Sequence, residues 1–130
     1  RGYGKILNVG SVAGFQPGPF MSVYYATKGY ILLFSEALAI ELKGKGVSVS
    51  VLCPGPTKTD FHKKAGIKKI GFFRKILLMD AKKVASIGYR NFMKGKTIII
   101  PGLLNKFLIF IQRFLPRKFV ASAAKSYYRF

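Results

Sequence analysis

Three polar residues near the beginning of the chain have types and spacings that fit acid–base chemistry: Ser11, Tyr24 and Lys28. Tyr24 and Lys28 are four positions apart, so in a helix they share one face. A free tyrosine titrates near ~10, and a lysine one turn away supplies positive charge that lowers this pKa. A nearby serine hydroxyl can hydrogen-bond a substrate oxygen. The set therefore fits proton transfer to or from an alcohol or carbonyl while another group moves a hydride.

The surrounding sequence predicts the elements that would position these residues. Its apolar patterns predict strand, helix, strand, helix and strand in turn, at 5–10, 24–42, 47–53, 80–95 and 96–102. Asp80 is typical of an N-cap and Gly95 of a helix stop. The basic, aromatic residues 62–79 predict a short helix and a mobile loop. Each crossover is long enough for parallel strands, which indicates half of a doubly wound α/β sheet.

This topology predicts where a ligand would bind. In open α/β sheets, ligands bind beyond the carboxyl ends of the strands. Ser11 follows the first predicted strand, and the segment "PGPTKT" (54–59) follows the second. Tyr24 and Lys28 begin the helix between these strands. We therefore expect all of these residues to meet at one edge of the sheet.

The same segments resemble the short-chain dehydrogenases/reductases, in which Ser, Tyr and Lys follow one another at intervals of thirteen and four positions. Ser11, Tyr24 and Lys28 match this spacing, and the flanking segments "NVGSVAG", "YYATK", "SEALAIEL" and "VSVLCPGPTKT" match as well. The resemblance covers 4–102. It implies a Rossmann-like fold and an oxidoreductase that moves a hydride between NAD or NADP and a small-molecule alcohol or carbonyl substrate.

The resemblance also implies a role for each residue. Tyr24 would be the general acid or base, Lys28 would lower its pKa and bind the nicotinamide ribose, and Ser11 would orient the substrate oxygen. The residues lining the nicotinamide and the adjoining phosphate would be Pro54, Gly55, Thr57 and Thr59. Taken singly, these residues have structural alternatives, namely a packed aromatic ring, an exposed lysine, and turn or helix caps for the hydroxyl residues.

The composition limits the number of domains and the classes of partner that the chain can bind. The chain has 130 residues, enough for one domain, and a net charge of +19 from 23 Lys and Arg against 4 acids. Such a balance is typical of proteins that bind phosphate, nucleic acid or anionic membranes, and also of a solvated surface or of a segment whose acids lie elsewhere. The sequence contains neither zinc-finger spacings nor a ribonucleoprotein motif, so we expect no nucleic-acid partner.

Single residues of two reactive types limit the chemistry further. Cys53 is the only cysteine and His62 the only histidine. An intrachain disulfide is therefore excluded, and a reducing, cytoplasmic location is expected. A histidine-based metal site and a Ser-His-Asp triad are disfavoured, so we expect no metal. Cys53 ends an apolar run, which predicts a buried structural residue.

The resemblance covers only the C-terminal half of a typical family member. The Gly-rich turn and the Asn-Asn-Ala-Gly segment of the family are not among the 130 residues, and the chain begins with Arg1. We therefore expect 1–102 to be the second half of an NAD(P)-binding domain, and these residues to be inactive by themselves. An unpaired edge on the first strand, exposed apolar surface on helix 24–42 and a homo-oligomeric parent are further expectations.

A basic, aromatic segment at 103–130 predicts an amphipathic helical extension. Apolar residues follow helical spacing in "LLNKFLIFIQRFL", which is too short to span a bilayer. This segment fits core or interface packing, contact with an anionic membrane surface, or a lid over a lipophilic substrate. The alternative function is therefore a non-catalytic relative that binds a membrane or a partner through this tail.

Overall fold

The computed structural model describes residues 1–67 and 71–128, and of His62 it describes the backbone alone. A parallel sheet at its centre contains β1 (Gly4–Val9), β2 (Val47–Leu52) and β3 (Ile98–Ile99), in the order β1-β2-β3. Both neighbouring pairs run parallel, and the register places Gly4 opposite Val47. The predicted α/β class with a parallel, Rossmann-like sheet is confirmed.

Helices connect the strands and follow the last one. The link from β1 to β2 consists of a 3-10 helix (Val12–Phe15) and α1 (Ser22–Glu41). Between β2 and β3 lie α2 (Phe61–Lys64), α3 (Phe72–Leu77) and α4 (Ala81–Met93). After β3 come α5 (Leu103–Gln112) and α6 (Arg117–Lys125). Within the predicted loop at 62–79, residues 68–70 lie outside the described residues.

The third strand is much shorter than the sequence predicts. Only Ile98–Ile99 of the predicted 96–102 forms a strand. Cys53 donates its backbone N–H to the Ile99 carbonyl at 2.7 Å. The prolines that follow, Pro54 and Pro101, have no N–H group with which to extend the ladder. The other predicted boundaries differ from the observed ones by one or two residues. For example, α1 begins at Ser22 and β1 ends at Val9.

The predicted caps of α4 are confirmed. The Asp80 carboxylate accepts a hydrogen bond from the Lys82 backbone N–H at 3.2 Å, which satisfies one of the free donors of the first turn. Gly95 adopts a left-handed φ of 73° just beyond the helix, where a residue with a Cβ would be strained. These two residues fix both ends of the helix that leads into β3.

The core lies around β2, the central strand. Val51 and Cys53 are fully buried and pack with Leu32 of α1. The prediction that Cys53 is a buried structural residue is confirmed. Burial raises the pKa of the Cys53 thiol to about 11, so it stays protonated at neutral pH.

Apolar surface remains exposed at one edge of the sheet and on α1, as the sequence predicts. Among the described strands, β1 pairs with β2 alone, and its Ile6 and Val9 are 42% and 57% exposed. The large apolar side chains exposed on α1 are Val23, Tyr30, Leu33, Phe34 and Ile40. A free edge and an apolar helix face are surfaces that a further segment or a second subunit can cover.

The tail forms two helices, α5 and α6, that turn at Pro116 and lead the chain back to α1. The Tyr128 hydroxyl lies 2.8 Å from the Tyr25 hydroxyl, and both side chains are buried with Ala13 and Ile67. Of the alternatives considered for the tail, core packing therefore applies to the part of it around Tyr128. Within the described ranges, no helix combines the length and apolar character needed to cross a bilayer.

A close backbone contact holds the loop after β1 against α1. A Cβ atom on Gly14 would lie 2.7 Å from the Lys28 carbonyl oxygen, closer than real Cβ atoms come. The obstacle is backbone, which cannot rotate away as a flexible side chain can. The loop and the helix can therefore approach this closely only because residue 14 is glycine.

We expect Gly14→Ala to lower the free energy of unfolding by about 1–3 kcal/mol, since the added methyl group forces the loop and α1 apart. Gly4→Ala is the matched control, because a Cβ at Gly4 meets nothing within 4 Å. Urea unfolding of the intact gene product measures both. Equal stability of the two variants would contradict the close contact between Gly14 and the Lys28 carbonyl.

Candidate active site

A cavity of about 580 Å³ opens at the carboxyl ends of β1 and β2. Its walls come from the loops after these strands, the beginning of α1, and helices α3 to α6. Six of the seven predicted site residues line it: Ser11, Tyr24, Pro54, Gly55, Thr57 and Thr59. Lys28 lies outside this lining. The convergence expected from the topology is therefore present for residues that are up to 48 positions apart in sequence.

Ser11 lies at the first turn after β1. Its extended backbone (φ −167°, ψ 157°) makes it the N-cap of the 3-10 helix, and its Oγ accepts from the Ala13 backbone N–H at 3.1 Å. The same hydroxyl donates to the Pro54 carbonyl at 3.5 Å. Ser11 thus caps the turn, as the structural alternative predicts. Its hydrogen bond to the Pro54 carbonyl, however, is at the long limit for a hydroxyl donor. A substrate oxygen can compete for that proton.

Tyr24 and Lys28 occupy one face of α1, as their spacing predicts. The Lys28 Nζ atom lies 5.8 Å from the centroid of the Tyr24 ring. It donates a hydrogen bond to the Val9 carbonyl at 3.3 Å, at the end of β1. The Tyr24 ring also contacts Phe61, with centroids 5.3 Å apart. The ammonium group is therefore held beside the tyrosine by the backbone of the strand that precedes Ser11.

The neighbouring tyrosine has a different role. Tyr25 is only 8% exposed, and its hydroxyl is bonded to that of Tyr128. Burial and this hydrogen bond raise the pKa of Tyr25, so its phenol stays protonated. The sequence favours Tyr24 over Tyr25 only because Tyr24 has a lysine four positions later. The structure adds that Tyr25 is committed to the core.

The two threonines after β2 make local hydrogen bonds. Thr57 Oγ1 donates to the Gly55 carbonyl at 3.0 Å, and Thr59 Oγ1 accepts from the Phe61 backbone N–H at 3.3 Å. These are the turn and helix-cap contacts that the structural alternative predicts. Both residues also line the cavity, so a cofactor contact for them stays a prediction.

Two buried polar residues of the cavity were not identified from the sequence. Asn105, 5% exposed at the beginning of α5, donates to the Pro101 carbonyl at 3.0 Å. A Cβ on Gly55 would lie 2.5 Å from its amide, so the loop after β2 fits closely over Asn105. Arg74 on α3 is 6% exposed. An amide within an apolar stretch was a readable signal for Asn105, whereas an arginine in a basic segment is not distinctive.

The tail supplies much of the apolar lining of the cavity. Its lining side chains on α5 and α6 include Leu108, Ile109, Ile111, Val120, Ala123 and Ala124. One wall of the cavity, close to Ser11 and Tyr24, is thus polar, and much of the remainder is hydrocarbon. This arrangement suits a ligand with a reactive oxygen and an apolar body.

Comparisons with known proteins give a consistent result. The family model described as short chain dehydrogenase matches residues 1–70. Ketoacyl reductase HetN of Nostoc sp. is 46% identical over 55 residues, which cover 42% of this chain and 19% of that protein. The 17-beta-hydroxysteroid dehydrogenase type 3 of Rattus norvegicus is 32% identical over 88 residues, which cover 68% of this chain and 29% of that protein.

Solved structures resemble the chain along most of its length. A short-chain dehydrogenase from Sphingobium yanoikuyae in complex with NADPH aligns with a TM-score of 0.69 and 30% identity, over 88% of this chain and 45% of that one. One from Burkholderia cenocepacia J2315 in complex with NADP aligns with a TM-score of 0.72 and 19% identity, over 94% and 49%, and shows the fold alone.

The extent of these matches defines what the chain represents. It spans less than a third of the two curated relatives and about half of the two solved structures. The family model covers more than half of the 130 residues, and it includes Ser11, Tyr24, Lys28 and the segment after β2. The chain belongs to the short-chain dehydrogenase/reductase family.

Proposed function

We propose that this chain carries the catalytic half of an NAD(P)(H)-dependent oxidoreductase that interconverts an alcohol and a carbonyl. One observation carries the proposal: Ser11 and Tyr24 line one cavity, and Lys28 is held beside the Tyr24 ring by the Val9 carbonyl. A protein that only bound a ligand would not need a phenol, an ammonium group and a hydroxyl close together.

Each of the three side chains has a distinct task in this proposal. During reduction, the Tyr24 phenol gives its proton to the substrate oxygen as that oxygen gains negative charge. The Lys28 ammonium stabilises the phenolate left behind, and Ser11 donates a hydrogen bond that aligns the oxygen with Tyr24. During oxidation, the phenolate of Tyr24 takes the proton back.

The residues around the cavity fit the nicotinamide half of a dinucleotide. Hydroxyl groups on Thr57 and Thr59 line the cavity beside Ser11, and these are groups that hydrogen-bond an amide, a ribose or a phosphate. When bound, NAD(P)(H) supplies or accepts the hydride. The Gly-rich turn that receives the pyrophosphate in the family is not among these residues. The proposal for these residues is therefore limited to the nicotinamide half of the cofactor.

The substrate that this cavity favours is lipophilic, because α5 and α6 contribute hydrocarbon side chains to its lining. We also propose that the complete protein is a homo-oligomer. The exposed apolar side chains of α1, Leu33 and Ile40 among them, support this, since such a face is stabilised when a second subunit covers it.

We expect Tyr24→Phe to lower kcat for carbonyl reduction by about 10²- to 10⁴-fold, because the variant lacks the proton donor. NAD(P)H absorbance in the intact gene product, with a panel of aliphatic and aromatic ketones, measures the effect. Tyr89→Phe is the matched control, since Tyr89 is an exposed residue of α4 outside the cavity lining. Wild-type kcat/KM in the Tyr24 variant would refute the assignment.

The 130 residues by themselves are expected to turn over little or no NAD(P)H. Without the turn that receives the pyrophosphate, a dinucleotide loses much of its binding energy and is not held in reach of Tyr24. The same absorbance assay on the isolated chain tests this. Turnover comparable to that of the intact gene product would contradict it.

A second candidate function is attachment to an anionic membrane surface through the tail. The large apolar side chains exposed on α5 and shortly after it include Leu103, Phe107, Phe110 and Phe114, which recur at helical spacing. Exposed basic residues, including Lys106 and Arg113, lie between them. Aromatic and basic side chains together favour the interface between lipid headgroups and acyl chains.

We expect the chain to float with vesicles that contain phosphatidylserine at low salt and to be released at high salt, because salt screens the attraction. The double variant K106E/R113E should lose most of this binding. K43E/K45E is the matched control, since these exposed lysines lie before β2, at the opposite end of the sheet. Equal loss in both variants would point to net charge rather than to the tail.

A further inference from the structure

Arg74 is a buried cation on the wall of the cavity. It lies on α3, is 6% exposed, and is the one charged residue among the buried polar residues of the described chain. Its Nη1 atom is fully buried and, within the described residues, makes no hydrogen bond. A buried guanidinium normally has its donors paired, because removing its charge from water is unfavourable. This unpaired donor therefore calls for an explanation.

The surroundings of Arg74 are aromatic rather than acidic. Its guanidinium carbon lies 5.3 Å from the centroid of the Tyr128 ring. Its charge also acts on Tyr25 and Tyr127, where it opposes the rise in pKa that burial causes. A cation–π contact compensates a buried charge only in part. The cation thus lies against the ring of Tyr128 and acts electrostatically on Tyr25 and Tyr127, and none of these neighbours is a carboxylate that could neutralise it.

The chain has few acids that could neutralise Arg74. Its four carboxylate side chains are Glu36, Glu41, Asp60 and Asp80, and none of them lines the cavity. Asp60 and Asp80 are solvent-exposed, and the Asp80 carboxylate caps α4. The negative charge that would complete the site is therefore best supplied from outside the chain.

We propose that Arg74 binds the anionic group of an otherwise apolar ligand, so that the cavity selects oxo or hydroxy acids with a hydrocarbon body. A guanidinium presents two parallel N–H groups to a planar carboxylate, and the walls from α5 and α6 contact the hydrocarbon. This inference rests on the proposed function, which places the reacting oxygen at Ser11 and Tyr24.

An anionic group could also belong to the cofactor, whose phosphates carry the same charge. The aromatic and apolar surroundings of Arg74 favour the ligand, since a phosphate retains more of its hydration in a polar cleft. Segment 54–59, with its hydroxyl side chains, is the part of the cavity where we place the cofactor. A test must therefore offer a carboxylate and a phosphate separately.

The test is calorimetric titration of the intact gene product with decanoate, with 1-decanol, with inorganic phosphate and with NADP⁺. We expect Arg74→Met to weaken decanoate binding about ten- to a hundredfold and to leave 1-decanol unchanged, as a charged hydrogen bond is lost. Arg74→Lys should be intermediate. Arg90→Met is the matched control, because Arg90 is an exposed arginine of α4. It should bind like the wild type.

Thermal unfolding adds a readout that a purely structural arginine would not give. Without ligand, Arg74→Met should unfold at a higher temperature than the wild type, because an uncompensated buried charge is removed. It should also lose the rise in melting temperature that decanoate produces. A lower melting temperature with an unchanged response to decanoate would assign Arg74 to the core and overturn the proposal.

The binding measurements are independent of turnover, so the two proposals can fail separately. Equal affinity of the wild type for decanoate and 1-decanol would overturn the carboxylate site even if Tyr24→Phe is inactive. Loss of NADP⁺ or phosphate binding alone in Arg74→Met would overturn it too and assign the cation to the cofactor. Loss of decanoate binding alongside a fully active Tyr24→Phe would refute only the proposed chemistry.

Discussion

The site depends on how closely the loop after β1 can approach α1. Because residue 14 has no side chain, the loop backbone rests directly against the carbonyl of Lys28. Ser11 precedes this contact by three positions, and Tyr24 lies one helical turn before it on α1. A wider separation would move the hydroxyl away from the phenol. Local backbone sterics therefore set the spacing of the groups to which we assign chemistry.

A second contact fixes α1 farther along its length. Asn8 Nδ2 donates to Ser35 Oγ at 2.9 Å, and Ser35 Oγ donates to the Ile31 carbonyl at 2.7 Å. Ser35 is fully buried and Asn8 is partly buried, so this polar link joins β1 to the helix at a place largely shielded from water. Two contacts on one helix oppose both its sliding and its rotation. The orientation of Tyr24 toward the cavity is thus built into the β1–α1 unit.

Features that depend on neighbours in sequence were predictable. The strands around residues 6 and 50, the α4 caps and the shared face of Tyr24 and Lys28 follow from short-range patterns of apolar, turn and capping residues. The contact of Ser11 with Pro54 was predictable once a parallel sheet had been inferred, because parallel strands place their carboxyl ends at one edge. The shortness of β3 was not predictable, since it depends on two prolines that follow different strands and end the ladder together.

Features that depend on distant contacts could not be predicted. The hydroxyl pair Tyr25–Tyr128 joins positions 103 residues apart, and neither tyrosine has a distinctive sequence context. Arg74 lies among other basic residues, so only its burial distinguishes it. The break in the tail at Pro116 was visible, but the direction in which α6 continues depends on the surface that it meets. Burial is a property of the assembled fold rather than of a pattern.

Because the tail returns to α1, the walls of the cavity form in a fixed order during translation. The polar wall of the cavity is made of residues translated early, whereas the hydrocarbon side chains that α5 and α6 contribute to it, and Tyr128, come 97 or more positions after Ser11. On the ribosome, the sheet edge and α1 can pack before α5 and α6 have been made. The nascent site therefore remains exposed to solvent, and it gains its remaining walls only when the segment around Tyr128 has emerged.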